Sequence, residues 1–267
     1  MNWTALLINL GASLVAVAVV MALTMAYALR RGEQSIVDTV WGLGFAVVAA
    51  VSFFLSAGEG DGLQRWVTLA LTAVWGVRLG AYIYARNRGK GEDPRYAALL
   101  RHNQGKLVPY VIRTIYWPQG AIMWVVSLPV QVAMYVAEPI PALLWAGVAV
   151  WAIGFAFEAV GDAQLASFKR DPANAGRLMD RGLWAWTRHP NYFGDSVVWT
   201  GLFLLACSHW VGLLSIVGPA LMTHMLVNKS GKALLERRMS RKRGPEYAAY
   251  VARTSGFFPR PPRRGTA

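Results

Sequence analysis

The chain has 267 residues, 55% of them apolar and only 15% charged, and its mean hydropathy is +0.34. That composition excludes an ordinary soluble domain. Lys and Arg number 27 against 14 Asp and Glu, a formal charge of +13, but the basic residues cluster between apolar runs, which argues for membrane topology and against nucleic-acid binding.

In chain order, runs long enough to cross a hydrocarbon core of ~30 Å lie at about 3–29, 36–57, 64–85, 108–136, 141–167, 193–208 and 210–229. They predict an all-α, polytopic membrane bundle of seven transmembrane helices, with cytoplasmic loops and tail capping a ligand site. One integral domain over 1–267 is expected: 1–29 a peripheral first helix, 34–259 the core, 260–267 a flexible tail. The first run is longer than a signal-peptide core and has no Lys or Arg before it, so it reads as a span. The last two runs are short and joined through Cys207, Ser208 and His209.

Arg30 and Arg31 follow the first run; Arg86, Arg88, Lys90, Arg95, Arg101 and Lys106 follow the third; Lys169, Arg170, Arg177, Arg181 and Arg188 follow the fifth; and the tail from Lys229 to Arg264 follows the seventh. The connections between hold Glu59, Asp61, Glu138 and Arg65. Positive-inside asymmetry then predicts a cytoplasmic C-terminus and an outside N-terminus, with anionic membrane lipid as a partner of the basic side. Polar loops are expected at 86–107 and 168–191, and a tail helix from Pro245 to about Arg253, followed by the apolar Phe257, Phe258 and Pro259.

Acids within spans are site candidates by default, and four lie near the cytoplasmic ends: Asp38, Glu158, Asp162 and Asp195. Asp38 follows Ser35 at capping-box spacing, so it reads either as part of a helix cap or as an acid able to hydrogen-bond a substrate oxygen. Glu158, Asp162 and Lys169 share one helix face, which suits either an ion-pair ladder or a ribose and phosphate site. The densest cluster, Trp186 to Asp195, carries Arg188, His189, Asn191, Tyr192 and Asp195 where a basic loop enters a span through Pro190, a ready anion and amide site. With Cys207 as the single cysteine, and His102, His209 and His224 scattered, no disulfide and no metal site are expected. No Rossmann or Walker sequence occurs, so any nucleotide is held by other means.

The segments Val37-Asp38-Thr39-Val40-Trp41-Gly42, Asp93-Pro94-Arg95-Tyr96, Arg188-His189-Pro190-Asn191-Tyr192-Phe193-Gly194-Asp195, Leu235-Glu236-Arg237-Arg238 and Pro245-Glu246-Tyr247 with Tyr250 resemble the membrane steroid 5α-reductase superfamily, especially its bacterial branch. The resemblance runs from about residue 34 to 259. It implies an enzyme of the bacterial inner membrane that uses NADPH to reduce the C=C bond of a lipophilic, steroid-like enone such as a 3-oxo-Δ4-steroid. Hydride goes to the β-carbon while a protein acid polarises the carbonyl. By the same resemblance Asp38 stands for a catalytic glutamate, one methylene shorter, with Val37 where the steroid enzymes have glutamine. Tyr84 or Tyr82 stands for a catalytic tyrosine, Tyr84 being preferred for its closeness to Arg86. The cofactor residues implied are Asp162, Lys169, Asn191, Asp195 and Trp199, with Glu158, Arg188, His189, Tyr192, Glu236 and Tyr247 as neighbours. A similar Arg-His-Pro-x-Tyr-x-Gly and acidic tail occur in isoprenylcysteine and phospholipid methyltransferases, which use S-adenosylmethionine. The seven expected spans and the Asp38 segment favour the reductase. The sequence leaves the oligomeric state open, and a monomer suffices.

Overall fold

The computed structural model describes residues 1–229 and 231–262, and these form helices and loops without a β-strand; the one β-type contact among them is a bridge between Thr187 and Ser255. Five segments are long and apolar enough to cross a membrane, as an integral membrane protein requires: Trp3–Arg31, Ile36–Leu55, Gly62–Asn87, Pro141–Arg170 and Trp210–Arg243. The chain divides into two compact units, residues 1–144 with 202–218, and residues 145–201 with 219–267. Part of the expected tail, 263–267, lies outside the described residues.

In the first unit α1 (Trp3–Arg31) is capped by Asn2, whose side chain accepts from Ala5 N, and ends at Gly32, whose φ of 71° closes the helix onto the Ala28 carbonyl. α2 (Ile36–Leu55) and α3 (Gly62–Asn87) pair closely because Gly42 and Gly76 face each other; a β-carbon on either would strike the other's carbonyl. After α4 (Pro94–Leu100), the expected span over 108–136 is divided into α5 (Leu107–Val111), a π-helical turn (Ile112–Tyr116), α6 (Trp117–Val126) and α7 (Leu128–Ala133). Pro118 and Pro129 sit at the starts of α6 and α7, where each lacks the N–H that a continuous helix would need.

Polar side chains hold this unit's interior. Ser13 and Asn9 of α1 donate to Gln131 Oε1, and Gln131 Nε2 donates to Ser127 Oγ at 2.9 Å. Gln64 Nε2 donates to the carbonyls of Ala133 and Leu205, both at 3.0 Å. In an apolar solvent such bonds replace the hydrophobic effect as the glue between helices.

Three helices run through both units: α8 (Pro141–Arg170), α10 (Pro190–Ala206) and α12 (Val217–His224). The expected span at 193–208 is α10, whose 17 residues reach about 25 Å. Within the second unit α8 and α10 touch backbone to backbone. A β-carbon at Gly154 would meet Val198 N and the Gly194 carbonyl, one at Gly194 would meet Glu158 N, and one at Gly201 would meet Trp151 N. Short α9 (Leu183–Trp186) is pinned to α8 by Trp184 Nε1, which donates to the Gly161 carbonyl at 2.9 Å, and by Leu183 N, which donates to Gln164 Oε1 at 2.9 Å. α11 (Trp210–Leu214) belongs to the first unit, while α13 (Lys232–Arg243) and the predicted tail helix α14 (Pro245–Arg253) complete the second. The tail folds back on the 168–191 loop: Arg243 donates to the carbonyls of Gly176 and Arg177, and Tyr250 OH to that of Trp184. Phe257 and Phe258 set their rings against Phe193 at 6.0 and 6.2 Å.

Candidate functional site

Asp38 lies in the first turn of α2, and both its oxygens are taken. Arg95 Nη2 donates to Oδ2 and Tyr96 OH to Oδ1, each at 2.6 Å, and Gln119 Nε2 in turn donates to Tyr96 OH at 3.3 Å. The capping-box alternative is not what forms. Ser35 makes no side-chain cap; the carboxylate of Glu92 accepts from Gln34 N and from Ser35 N (2.9 Å) and does the capping from a distant loop. Asp38 is thereby free of capping and serves as an acceptor that orients a guanidinium and a phenol. Burial, then the negative charge of Asp38, pushes the Tyr96 phenol above its ordinary range, so it stays a donor. Burial works to raise Asp93, but the hydrogen bonds and charge of Arg95 prevail and hold it below the usual carboxylate range.

The two tyrosines expected on α3 are placed differently. Tyr84 is 56% exposed. Tyr82 has its ring near the guanidinium groups of Arg78 and Arg86, at 5.3 and 6.0 Å. The phenol brought to Asp38 is that of Tyr96.

In the second unit Glu158 and Asp162, one turn apart on α8, are both 3% exposed. Asn191, one residue into α10, donates from Nδ2 to Asp162 Oδ1 at 3.2 Å. Because Gly194 brings α10 against the backbone of Glu158, Asp195 enters at the same level, itself 9% exposed, and Trp199 follows one turn deeper, fully buried. Three carboxyls, an amide and an indole therefore occupy one stretch of two touching helices. Lys169 is exposed, about 10 Å further along α8.

Arg188, His189 and Glu236 form the adjoining network. Arg188 donates to Glu236 Oε1 from Nε at 2.9 Å and to the Thr254 carbonyl from Nη1 at 2.6 Å, so it holds the tail in place. His189 Nε2 donates to the same carboxylate oxygen at 3.2 Å, and its ring stacks on Tyr192 at 5.4 Å. Lys232 adds a second cation beside Glu236, 3.4 Å from its Oε2. Burial draws the His189 pKa below its ordinary value, against the pull of Glu236, and leaves the imidazole neutral near pH 7. Tyr247 is buried here too, and burial raises its phenol.

The sequence matches a family model described as "Protein of unknown function (DUF1295)" over residues 24–254. The chain belongs to this family. It is the family of the steroid 5α-reductase-like superfamily, as the resemblance led one to expect at that coarser level. Among curated proteins the chain is similar to "uncharacterized protein C594.04c" of Schizosaccharomyces pombe, 22% identical, with 85% of this chain and 73% of that protein covered. No solved structure matches the chain.

Several residues in these networks were not singled out by sequence reasoning. Arg95 and Tyr96 lie within the Asp93-Pro94-Arg95-Tyr96 segment of the resemblance, yet nothing local assigns them to Asp38, 57 and 58 residues away. Lys232 carried a usable signal in its four-residue spacing from Glu236.

Proposed function

We propose that the protein is an NADPH-dependent membrane reductase of lipophilic enones, a 3-oxo-Δ4-steroid or a lipid with the same conjugated ketone. The observation that carries this reading is the clustering of Glu158, Asp162, Asn191 and Asp195 on two helices in backbone contact, with Arg188 and Lys232 in the adjoining network and Lys169 further along α8, in a family of this superfamily. The donor set suits a phosphorylated dinucleotide: carboxyls for ribose hydroxyls, the Asn191 amide for the carboxamide or a hydroxyl, and cations for phosphate. NADPH, when bound, supplies the hydride.

The chain's own part at the substrate is assigned to the Asp38 group. Asp38 and Asp93 fix the Arg95 guanidinium through Nη2 and Nε, which leaves the Nη1 N–H groups to meet a carbonyl oxygen as negative charge grows on it. Tyr96 is held beside it by Asp38 and Gln119. Asp38 is then an orienting acceptor, and its carboxylate steadies the charge of Arg95.

The proposal extends to the membrane setting: seven passes, counting the divided 107–133 region and α10, with the basic side cytoplasmic in a bacterial inner membrane. The test is NADPH oxidation by the purified protein on addition of a panel of lipophilic enones, with the saturated product identified by mass. Asp38→Asn is expected to lower kcat about 100-fold or more while nucleotide binding persists. Full activity in that variant would remove Asp38 from the mechanism, and no enone-dependent oxidation by the wild type would remove the reaction.

A further inference from the structure

α13 starts immediately beyond the apolar run that ends at Lys229, and one stripe of it is left over by the network around Glu236. Lys232, Ala233, Glu236, Arg237, Ser240 and Arg241 recur at helical spacing along that stripe and, with Val227 and Asn228, line an open groove of about 530 Å³. Glu236 is the one acid in the groove, and it is already surrounded by Arg188, His189 and Lys232. Arg237 and Arg241, like Arg238 and Lys242 beside them, make no ion pair among the described residues. Val227 and Ala233 give the groove its apolar wall. An amphipathic groove with spare guanidinium groups, placed at the end of a membrane-crossing segment, matches a ligand that is anionic at one end and apolar at the other.

We propose that this groove binds the phosphodiester headgroup of an anionic membrane phospholipid. The phosphate lies against Arg237 and Arg241, whose planar donor pairs match two of its oxygens, with Ser240 and Asn228 as neutral donors. Val227 and Ala233, the apolar residues of the groove, face the start of the acyl chains. A zwitterionic lipid brings its own cation into a groove that already has an excess of them and is disfavoured. The inference does not depend on which reaction the protein performs.

The full-length protein, delipidated in detergent, is titrated with dioleoyl phosphatidylglycerol or dioleoyl phosphatidylcholine, and bound lipid is counted by native mass spectrometry. The wild type is expected to take phosphatidylglycerol at least about tenfold more tightly. Arg237→Gln with Arg241→Gln should weaken that binding roughly 30-fold, the worth of two cations facing an anionic lipid. Ser240→Glu, a second and independent variant, should weaken it too by setting a like charge in the groove. Equal binding of the two lipids, or an undiminished preference in these variants, overturns the proposal. Displacement of phosphatidylglycerol by an equimolar amount of adenosine 2′,5′-bisphosphate overturns it as well, since the groove would then belong to a soluble nucleotide.

Discussion

Replacing Glu236 with alanine removes the carboxylate on which Arg188, His189 and Lys232 converge. The Glu236 side chain is 21% exposed and that of Arg188 is 10% exposed. Breaking a fully buried pair costs about 3–5 kcal/mol and an exposed one about 0–1 kcal/mol, so the loss here is set between them at about 2–3 kcal/mol. At about 2–4 °C per kcal/mol for a chain of this size, the melting temperature should fall by roughly 4–12 °C. Since Arg188 also holds the Thr254 and Val251 carbonyls, the tail should loosen and trypsin should cut sooner at Arg253. A fluorescence-detected melt in detergent and a timed digest read the two effects. Glu236→Gln keeps an acceptor for Arg188 and should lose less. A Glu236→Ala protein that melts within about 1 °C of wild type, with its tail digested at the same rate, would refute the assignment of this network as the clasp of the tail.

Two further outcomes follow from the second unit. His189 has its pKa depressed by burial, with Arg188 and Lys232 lowering it further and Glu236 raising it. A depressed base binds its proton less readily folded than unfolded, so its contribution to stability is whole above the ordinary value of 6.5 and is lost as pH falls from there through the folded value. Melting temperature should be level between about pH 7.5 and 6.5 and drop below that, with a shallower drop in His189→Gln; identical slopes would contradict the burial argument. Gly194→Ala drives a β-carbon into Glu158 N and the Gly154 carbonyl, backbone atoms unable to retreat, and should destabilise by about 1–3 kcal/mol or more. Gly11→Ala meets open space and should be neutral or slightly stabilising; equal melts for both variants would mean that α8 and α10 do not pack as described.

What could be read from the sequence differs by element for physical reasons. Uninterrupted apolar runs mark α1, α2, α3 and α8, because length and hydropathy suffice where nothing breaks the helix. The region 108–136 is as apolar, but hydropathy is blind to the missing N–H groups of Pro118 and Pro129, which divide it. The Arg188 to Asp195 segment announces itself because its polar groups are contiguous in sequence and enter one helix together. Asp38 was visible as an acid in a span, while its surroundings were not. The Ser35 to Asp38 spacing suggests a local cap, but Glu92 competes for those N–H groups, and the partners of Asp38 come from α4. Tyr82 and Tyr84 are what the resemblance implies on α3, Tyr84 for its closeness to Arg86; that Tyr96 is the phenol on Asp38 is a tertiary contact, which spacing along one helix does not encode.

Nucleotide retention by the purified protein tests the central claim most directly. The protein is isolated in mild detergent, its bound small molecules are identified by mass spectrometry, and melts are run with NADPH and with S-adenosylmethionine. Bound NADPH or NADP⁺ is predicted, together with stabilisation by NADPH alone; at 100 times Kd this is worth about 2.7 kcal/mol, a rise of roughly 5–11 °C. Stabilisation by S-adenosylmethionine alone would contradict the reductase reading and assign the Arg188 to Asp195 segment to methyl transfer.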